Sequence, residues 1–220
     1  MARASIQEAA ATGFTPRRGR PNAAYLAAIS EKILTTAQGL FLSQGYANTT
    51  MDAVTAASGV GKATLYARYP TKADLFRAIV EARMEAWQKA EPVAGEDDIE
   101  IEAWLSANAR ALLRAMRDPE IRAFDRLMMS EGERFPELAR TFHELGHMVN
   151  VRHIAERLAR AEGMSAPTDH TILVAKLFAS SLIQWIRQES NVGEIGDLEC
   201  EAAAGALTRL MVAGRAAWRG

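Results

Sequence analysis

Two stretches of this chain hold residues whose types and spacing suit chemistry. The first, residues 58–72, reads Ser-Gly-Val-Gly-Lys-Ala-Thr-Leu-Tyr-Ala-Arg-Tyr-Pro-Thr-Lys. Lys62, Tyr66, Arg68, Tyr69 and Lys72 are donors suited to phosphate oxygens. Thr64 offers a hydroxyl and a methyl that can read a base edge. The second stretch is His143-Glu144-Leu145-Gly146-His147, followed by His153. Two histidines one helical turn apart, with a glutamate between them, are the zinc ligands and general base of a metalloprotease helix. His153 falls at the third-ligand spacing of metzincins.

The second pattern yields the rival reading, a zinc metalloprotease or a metal-sensing protein. Its context argues against it. Metzincins turn sharply at a glycine, where this chain has Asn150. Leu138, Phe142, Leu145, Val149, Ile154 and Leu158 keep helical spacing through that point. On a straight helix His153 lies about 120° from the first pair. No strand pattern precedes the motif. The expectation is ordinary helix histidines, with no catalysis, no bound metal and no cofactor.

The first pattern has the elements it needs. Thr49 and Thr50 can cap a short helix that ends at Ser58-Gly59. Gly59 permits a tight turn, and Lys62 to Tyr69 form a second short helix, stopped by Pro70. Val54, Val60 and Leu65 can form the small core that fixes the angle between the two. Thr64 then faces outward. This is the layout of a helix-turn-helix, which lays its second helix in a DNA major groove.

The rest of the chain reads as helices with clear stops. One helix starts near Asn22 and ends at Gly45, and another starts at Thr71. A polar linker at 91–98 precedes runs over 99–117, 119–131, 136–162, 169–188 and 197–218. The expected fold is all-α with about nine helices. A flexible basic arm spans 1–21, the helix-turn-helix domain 22–70, and a linker helix with a C-terminal ligand-binding and dimerisation domain 71–220. Residues 172–186 are apolar around most of the helix, which implies burial on several sides. With the Ala- and Gly-rich 198–214 run, they suggest a helical homodimer interface.

Charge is unevenly placed. Residues 1–90 carry 11 Lys/Arg against 6 Asp/Glu, and residues 91–220 carry 15 against 21. A basic front on an acidic remainder fits a polyanion contact at one end. Cys200 is the single cysteine, so neither an intrachain disulfide nor a thiolate metal cage can form. The sequence shows no signal-peptide or membrane-length apolar run. The expectation is a cytoplasmic protein with no membrane partner.

Ser58-Gly59-Val60-Gly61-Lys62-Ala63-Thr64-Leu65-Tyr66, with Tyr69-Pro70-Thr71-Lys72-Ala73-Asp74-Leu75, resembles the TetR family of transcriptional regulators over residues 22–80. Glu131-Gly132-Glu133-Arg134-Phe135-Pro136-Glu137-Leu138-Ala139 resembles the AefR-like type of its C-terminal domain. The resemblance implies a repressor that binds a double-stranded operator as a homodimer and releases it on binding a small effector. It implies DNA contacts at Thr50, Gly61, Lys62, Ala63, Thr64, Tyr66, Tyr69 and Lys72, and Arg68 adds a cation beside that surface. Gly61 stands for the usual Ser and Ala63 for the usual Gly, departures that bear on the operator sequence. Arg18 and Arg20, in Arg-Gly-Arg-Pro, suit an A·T-rich minor groove. Trp104, Phe124, Met128, Phe142 and Trp185 are the candidates to line a site for an apolar or aromatic effector.

Overall fold

The computed structural model describes residues 23–90 and 100–218. The expectations placed on Arg18, Arg20 and the 91–98 linker lie outside them. Among the described residues every regular element is helical. In chain order these are α1 (Ala23–Gln44), α2 (Met51–Ser58), α3 (Lys62–Arg68) and α4 (Lys72–Ala90). Then come α5 (Ile101–Arg117), α6 (Pro119–Glu131), α7 (Pro136–Phe142) and α8 (Met148–Ala161). Finally α9 covers Asp169–Val192 and α10 Asp197–Ala213, with a short 3₁₀ turn at Arg215–Trp218. A π-helical turn, His143–His147, joins α7 to α8. The three form one continuous run, so the described residues make nine rods, as the periodicity implied.

Local chemistry sets the boundaries. Gly45 ends α1 at φ 86° and Gly59 ends α2 at φ 66°, both left-handed. Thr50 caps α2, its hydroxyl accepting the Ala53 N–H at 3.0 Å. Thr49, expected as an alternative cap, is buried and donates its hydroxyl to the Gly45 carbonyl instead. Asp118 caps α6 ahead of Pro119, and Thr168 caps α9. Two ends differ from the sequence expectation. α9 runs on to Val192, and α10 stops at Ala213, where Gly214 interrupts the path to Trp218.

The apolar faces close into two cores. One joins α1 to α4 and also takes Phe124 and Leu127 of α6 and Leu138 of α7. The other joins α5, α8, α9 and α10 around Trp104, Leu113, Ile154 and Phe178. The helix-turn-helix part therefore shares its core with two later helices. Phe41, Tyr46, Phe76, Phe124 and Phe135 pack within that shared core, with ring centroids 5.0–6.3 Å apart. Arg83 of α4 ties the parts further, donating to Gln38 of α1 and pairing with Glu120 of α6. In the single chain α9 is buried along one side, at Ala175, Phe178, Ala179, Leu182 and Ile186, while Leu173 and Leu177, one turn apart, stay 50% and 60% exposed.

Candidate nucleic-acid interface

The helix-turn-helix is built around three apolar side chains. Val54 and Leu65 are fully buried, and Val60 packs half-buried beside them. The left-handed Gly59 turns the chain between the helices, and the Ser58 hydroxyl accepts the Val60 N–H at 3.3 Å. With Leu65 pointing inward, α3 presents Gly61, Lys62, Ala63, Thr64 and Tyr66 to solvent. Gly61 is the N-cap of α3 and supplies no side-chain cap. Thr50 is exposed at the start of α2. These six expected contact residues share one open region.

The electrostatics of that face are simple. Lys62 Nζ lies 2.7 Å from Asp52 of α2, both well exposed. The hydrogen bond from Lys62 to Asp52 holds the ammonium above its usual range, so it stays charged. An exposed pair of this kind contributes little to stability and can exchange the carboxylate for a phosphate. Lys62 also sits 5.9 Å from the Tyr66 ring centroid.

Three expected contacts are placed otherwise. Arg68 donates to the Ser30 hydroxyl at 2.6 Å, bracing α3 against α1. Tyr69 is half-buried at the C-terminus of α3, packed on the head's core. Lys72 turns inward. Its ammonium donates to the carbonyls of Tyr46 (2.6 Å) and Thr49 (2.9 Å) and lies 4.2 Å from the Tyr46 ring centroid. Burial lowers its pKa, opposed by the negative charges of Glu131 and Glu137. As placed, Lys72 braces the turn before α2 rather than reaching out to a phosphate.

That turn has a second brace, which sequence reasoning missed. Glu131, the last residue of α6, accepts the N–H groups of Tyr46 and Ala47, each at 2.8 Å. Phe135 lays its ring edge-on to Tyr46, centroids 5.0 Å apart. Buried among carboxylates, the Tyr46 phenol is pushed up to about 12, with burial the main cause and Glu137 next. The segment at 131–135 thus clasps the loop that carries the helix-turn-helix. Its acidic and aromatic residues were visible in the sequence, but their partners lie some 85 positions away.

The N-terminal domain of the bacterial regulatory proteins of the TetR family matches residues 33–79. The C-terminal domain of AefR-like transcriptional repressors matches residues 103–164. The chain belongs to the TetR family. Like its relatives it is a DNA-binding transcriptional regulator. The flavonoid-responsive regulator FrrA is 28% identical over 86% of this chain and 97% of its own, with a TM-score of 0.71. GusR of Salmonella enterica shares the fold at 23% identity and a TM-score of 0.59, over 84% of this chain and 94% of its own. So does NalD of Pseudomonas aeruginosa, the secondary repressor of the MexAB-OprM efflux pump, at 17% identity and a TM-score of 0.59, over 86% and 97%. No curated protein matches the chain.

In this TetR-family chain the five expected effector contacts do not converge. Phe124, Met128 and Phe142 belong to the core shared with the DNA-reading head, Phe124 and Phe142 stacked with centroids 6.3 Å apart. Trp104 and Trp185 belong to the other core. Helix packing assigns these aromatics and Met128 to two cores rather than one pocket. An open groove of about 620 Å³ lies at Arg117, Arg122 and the turn after α9, and none of the five lines it.

The histidine motif is likewise absorbed by the fold. The helix continues past Asn150, as expected, but through a π turn that was not. Gly146 sits there against Met84 of α4, where a Cβ would come within 3.0 Å of the Met84 methyl. The His143 and His147 rings lie 5.2 Å apart, while His153 packs edge-on to Trp104. Glu144 faces Arg77 of α4 at 3.4 Å. Among the described residues no three His, Cys, Asp or Glu side chains gather as metal ligands. The described helices include none long and apolar enough to cross a membrane.

Proposed function

We propose that this TetR-family protein is a repressor that binds a palindromic operator as a homodimer and releases it on binding a small effector. The observation that carries the DNA reading is the open face of α3: Lys62, Thr64 and Tyr66 stand clear of a core that fixes their helix. Lys62, Tyr66 and Thr50 suit phosphates, Gly61 and Ala63 admit a close backbone, and Thr64 suits a base edge. Arg18 and Arg20 would enter the adjoining minor groove.

The open stripe on α9 supports the dimer. Leu173 and Leu177 there, with Leu198 and Leu210 of α10, are large apolar side chains exposed in the single chain. A two-fold axis would cover them and present two copies of α3 about one DNA turn, roughly 34 Å, apart. The effector belongs to the C-terminal helices. The likeness to FrrA makes flavonoids the first aromatic class to test. Such a protein works where the chromosome is, in the cytoplasm.

A genomic binding selection with the purified full-length protein tests this reading. A dyad-symmetric consensus is expected, bound by the wild type, with altered base preference for Thr64→Ala. Recovery of no symmetric site would sink it.

A further inference from the structure

The face that meets DNA carries an anion of its own. From Thr50 to Tyr69 the chain has two cations, Lys62 and Arg68, and one acid, Asp52. Arg68 is half-buried and bonded to Ser30 of α1. Lys62 is therefore the outward cation of this stretch, and the one acid lies against it, Oδ1 2.7 Å from Nζ. Asp52 also follows Thr50, the other phosphate candidate, by two residues in the first turn of α2.

The fold has little need of this pair. Its side chains are 61% and 70% exposed, and neither takes another hydrogen bond among the described residues. Val54, Val60, Leu65 and the left-handed Gly59 already fix α3 against α2. An exposed pair adds little to stability, so its main effect falls on whatever else approaches Lys62. A phosphate on the same ammonium would lie against the carboxylate, and like charges at that range repel. The pair must open for the phosphate to bind.

We infer that Asp52 is a built-in competitor of DNA phosphate for Lys62, which lowers the affinity of the head for every duplex alike. In the free protein the closed pair neutralises the outward cation. Binding opens it and leaves the carboxylate beside the DNA backbone. Every duplex offers phosphate, so the effect carries no sequence information, which stays with Thr64. Residence on non-operator DNA, which rests on phosphate contacts, becomes shorter. This rests on the reading of Lys62 as a phosphate contact.

The test measures binding of the full-length protein to a random-sequence duplex and to the selected operator, at one salt concentration. Asp52→Asn should tighten both by roughly two- to fivefold, the size of one exposed ion pair. Asp52→Ser should reproduce the gain, and circular dichroism should be unchanged for both. The same Asp52→Asn substitution is then made in Lys62→Met. The cycle reads how far the Asp52–Lys62 interaction weakens on binding. The gain should be clearly smaller in Lys62→Met, where only the repulsion between carboxylate and DNA is left to remove. Unchanged or weaker binding by Asp52→Asn would overturn the competition and make the pair a brace that orients Lys62. An equal gain in the two backgrounds would overturn it as well, since Asp52 would then act on DNA without Lys62. A gain at the operator alone would overturn its indifference to sequence. Lys62→Met binding as tightly as the wild type would instead overturn the phosphate reading of Lys62 on which the competition rests.

Discussion

Glu131 of α6 holds the backbone of Tyr46, in the turn that opens the helix-turn-helix. Both carboxylate oxygens are used, one on the Tyr46 N–H and the other on the Ala47 N–H, at 2.8 Å each. The preceding residue, Gly45, has φ 86°, and a Cβ there would run into Glu131 Oε1. Glycine at 45 is therefore required twice, by the backbone and by the carboxylate that approaches it. The bond links a helix of the C-terminal region to the part that reads DNA, so a shift of α6 must move or break it.

Glu131→Gln should therefore weaken the joint without unfolding the chain. One amide oxygen can replace only one of two charge-assisted bonds, so a loss of about 1–3 kcal/mol is expected in urea unfolding. Gly45→Ala should cost at least as much, from the left-handed backbone and the collision together. In a double-mutant cycle with Glu131→Ala the two costs should be less than additive, because removing the carboxylate removes the collision. Full additivity would show that Glu131 does not occupy this position in solution.

Lys62 and Lys72 should behave differently on DNA, although both were expected to touch phosphate. Lys62 is exposed beside Asp52, whereas Lys72 is bonded to two carbonyls. Lys62→Ala should reduce the slope of log K against log salt by about 0.9, the value for one phosphate contact. Lys72→Met should leave that slope unchanged and instead lower stability, by about 1–3 kcal/mol, because the carbonyls of Tyr46 and Thr49 each lose the ammonium and Tyr46 keeps only the Thr49 N–H. Filter binding across a salt series, alongside thermal melts, separates these outcomes. A slope change for Lys72→Met would return it to the phosphate contacts.

What the sequence made legible was local. Helix periodicity, the Gly59 turn, Thr50 as a cap and Thr64 as an outward residue all depend on neighbours within a few positions, and all appear as expected. The joint did not, because Glu131 meets Tyr46 across 85 residues and no spacing rule connects them. The five effector candidates failed to converge for a similar reason: periodicity tells which face of a helix is buried, but not which core buries it. The π turn was hidden because His143–His147 keeps the composition of an ordinary helix, and Gly146 shows its purpose only once Met84 is beside it.

A modest pH dependence should arise at the π turn. Burial lowers the pKa of His147 below its ordinary 6.5, reinforced by His143 and Lys176 nearby. A depressed folded value means that the unfolded chain binds the proton more readily. The contribution to stability is then fully present above 6.5 and is lost as pH falls through the lowered folded value. Melting temperature should drop as pH falls below about 6.5 in the wild type, with part of that drop missing in His147→Gln. Superimposable profiles for the two proteins would show that His147 titrates normally.

The open stripe on α9 should hold the dimer together. Leu177 is exposed in the single chain, so Leu177→Glu leaves the fold of each protomer untouched and its circular dichroism unchanged. In a two-fold interface the same substitution appears twice near the axis, placing two carboxylates in an apolar contact. The variant should sediment as a monomer where the wild type sediments as a dimer. It should bind a half-site about as well as the wild type, yet lose the added affinity of the full palindrome, since the second head is no longer tethered. Leu173→Glu, one turn earlier, should do the same, whereas a charge at Val149, exposed on α8, should not. If Leu177→Glu still sediments as a dimer, the two-fold contact lies elsewhere on the molecule and the pairing of α9 with its symmetry mate is wrong.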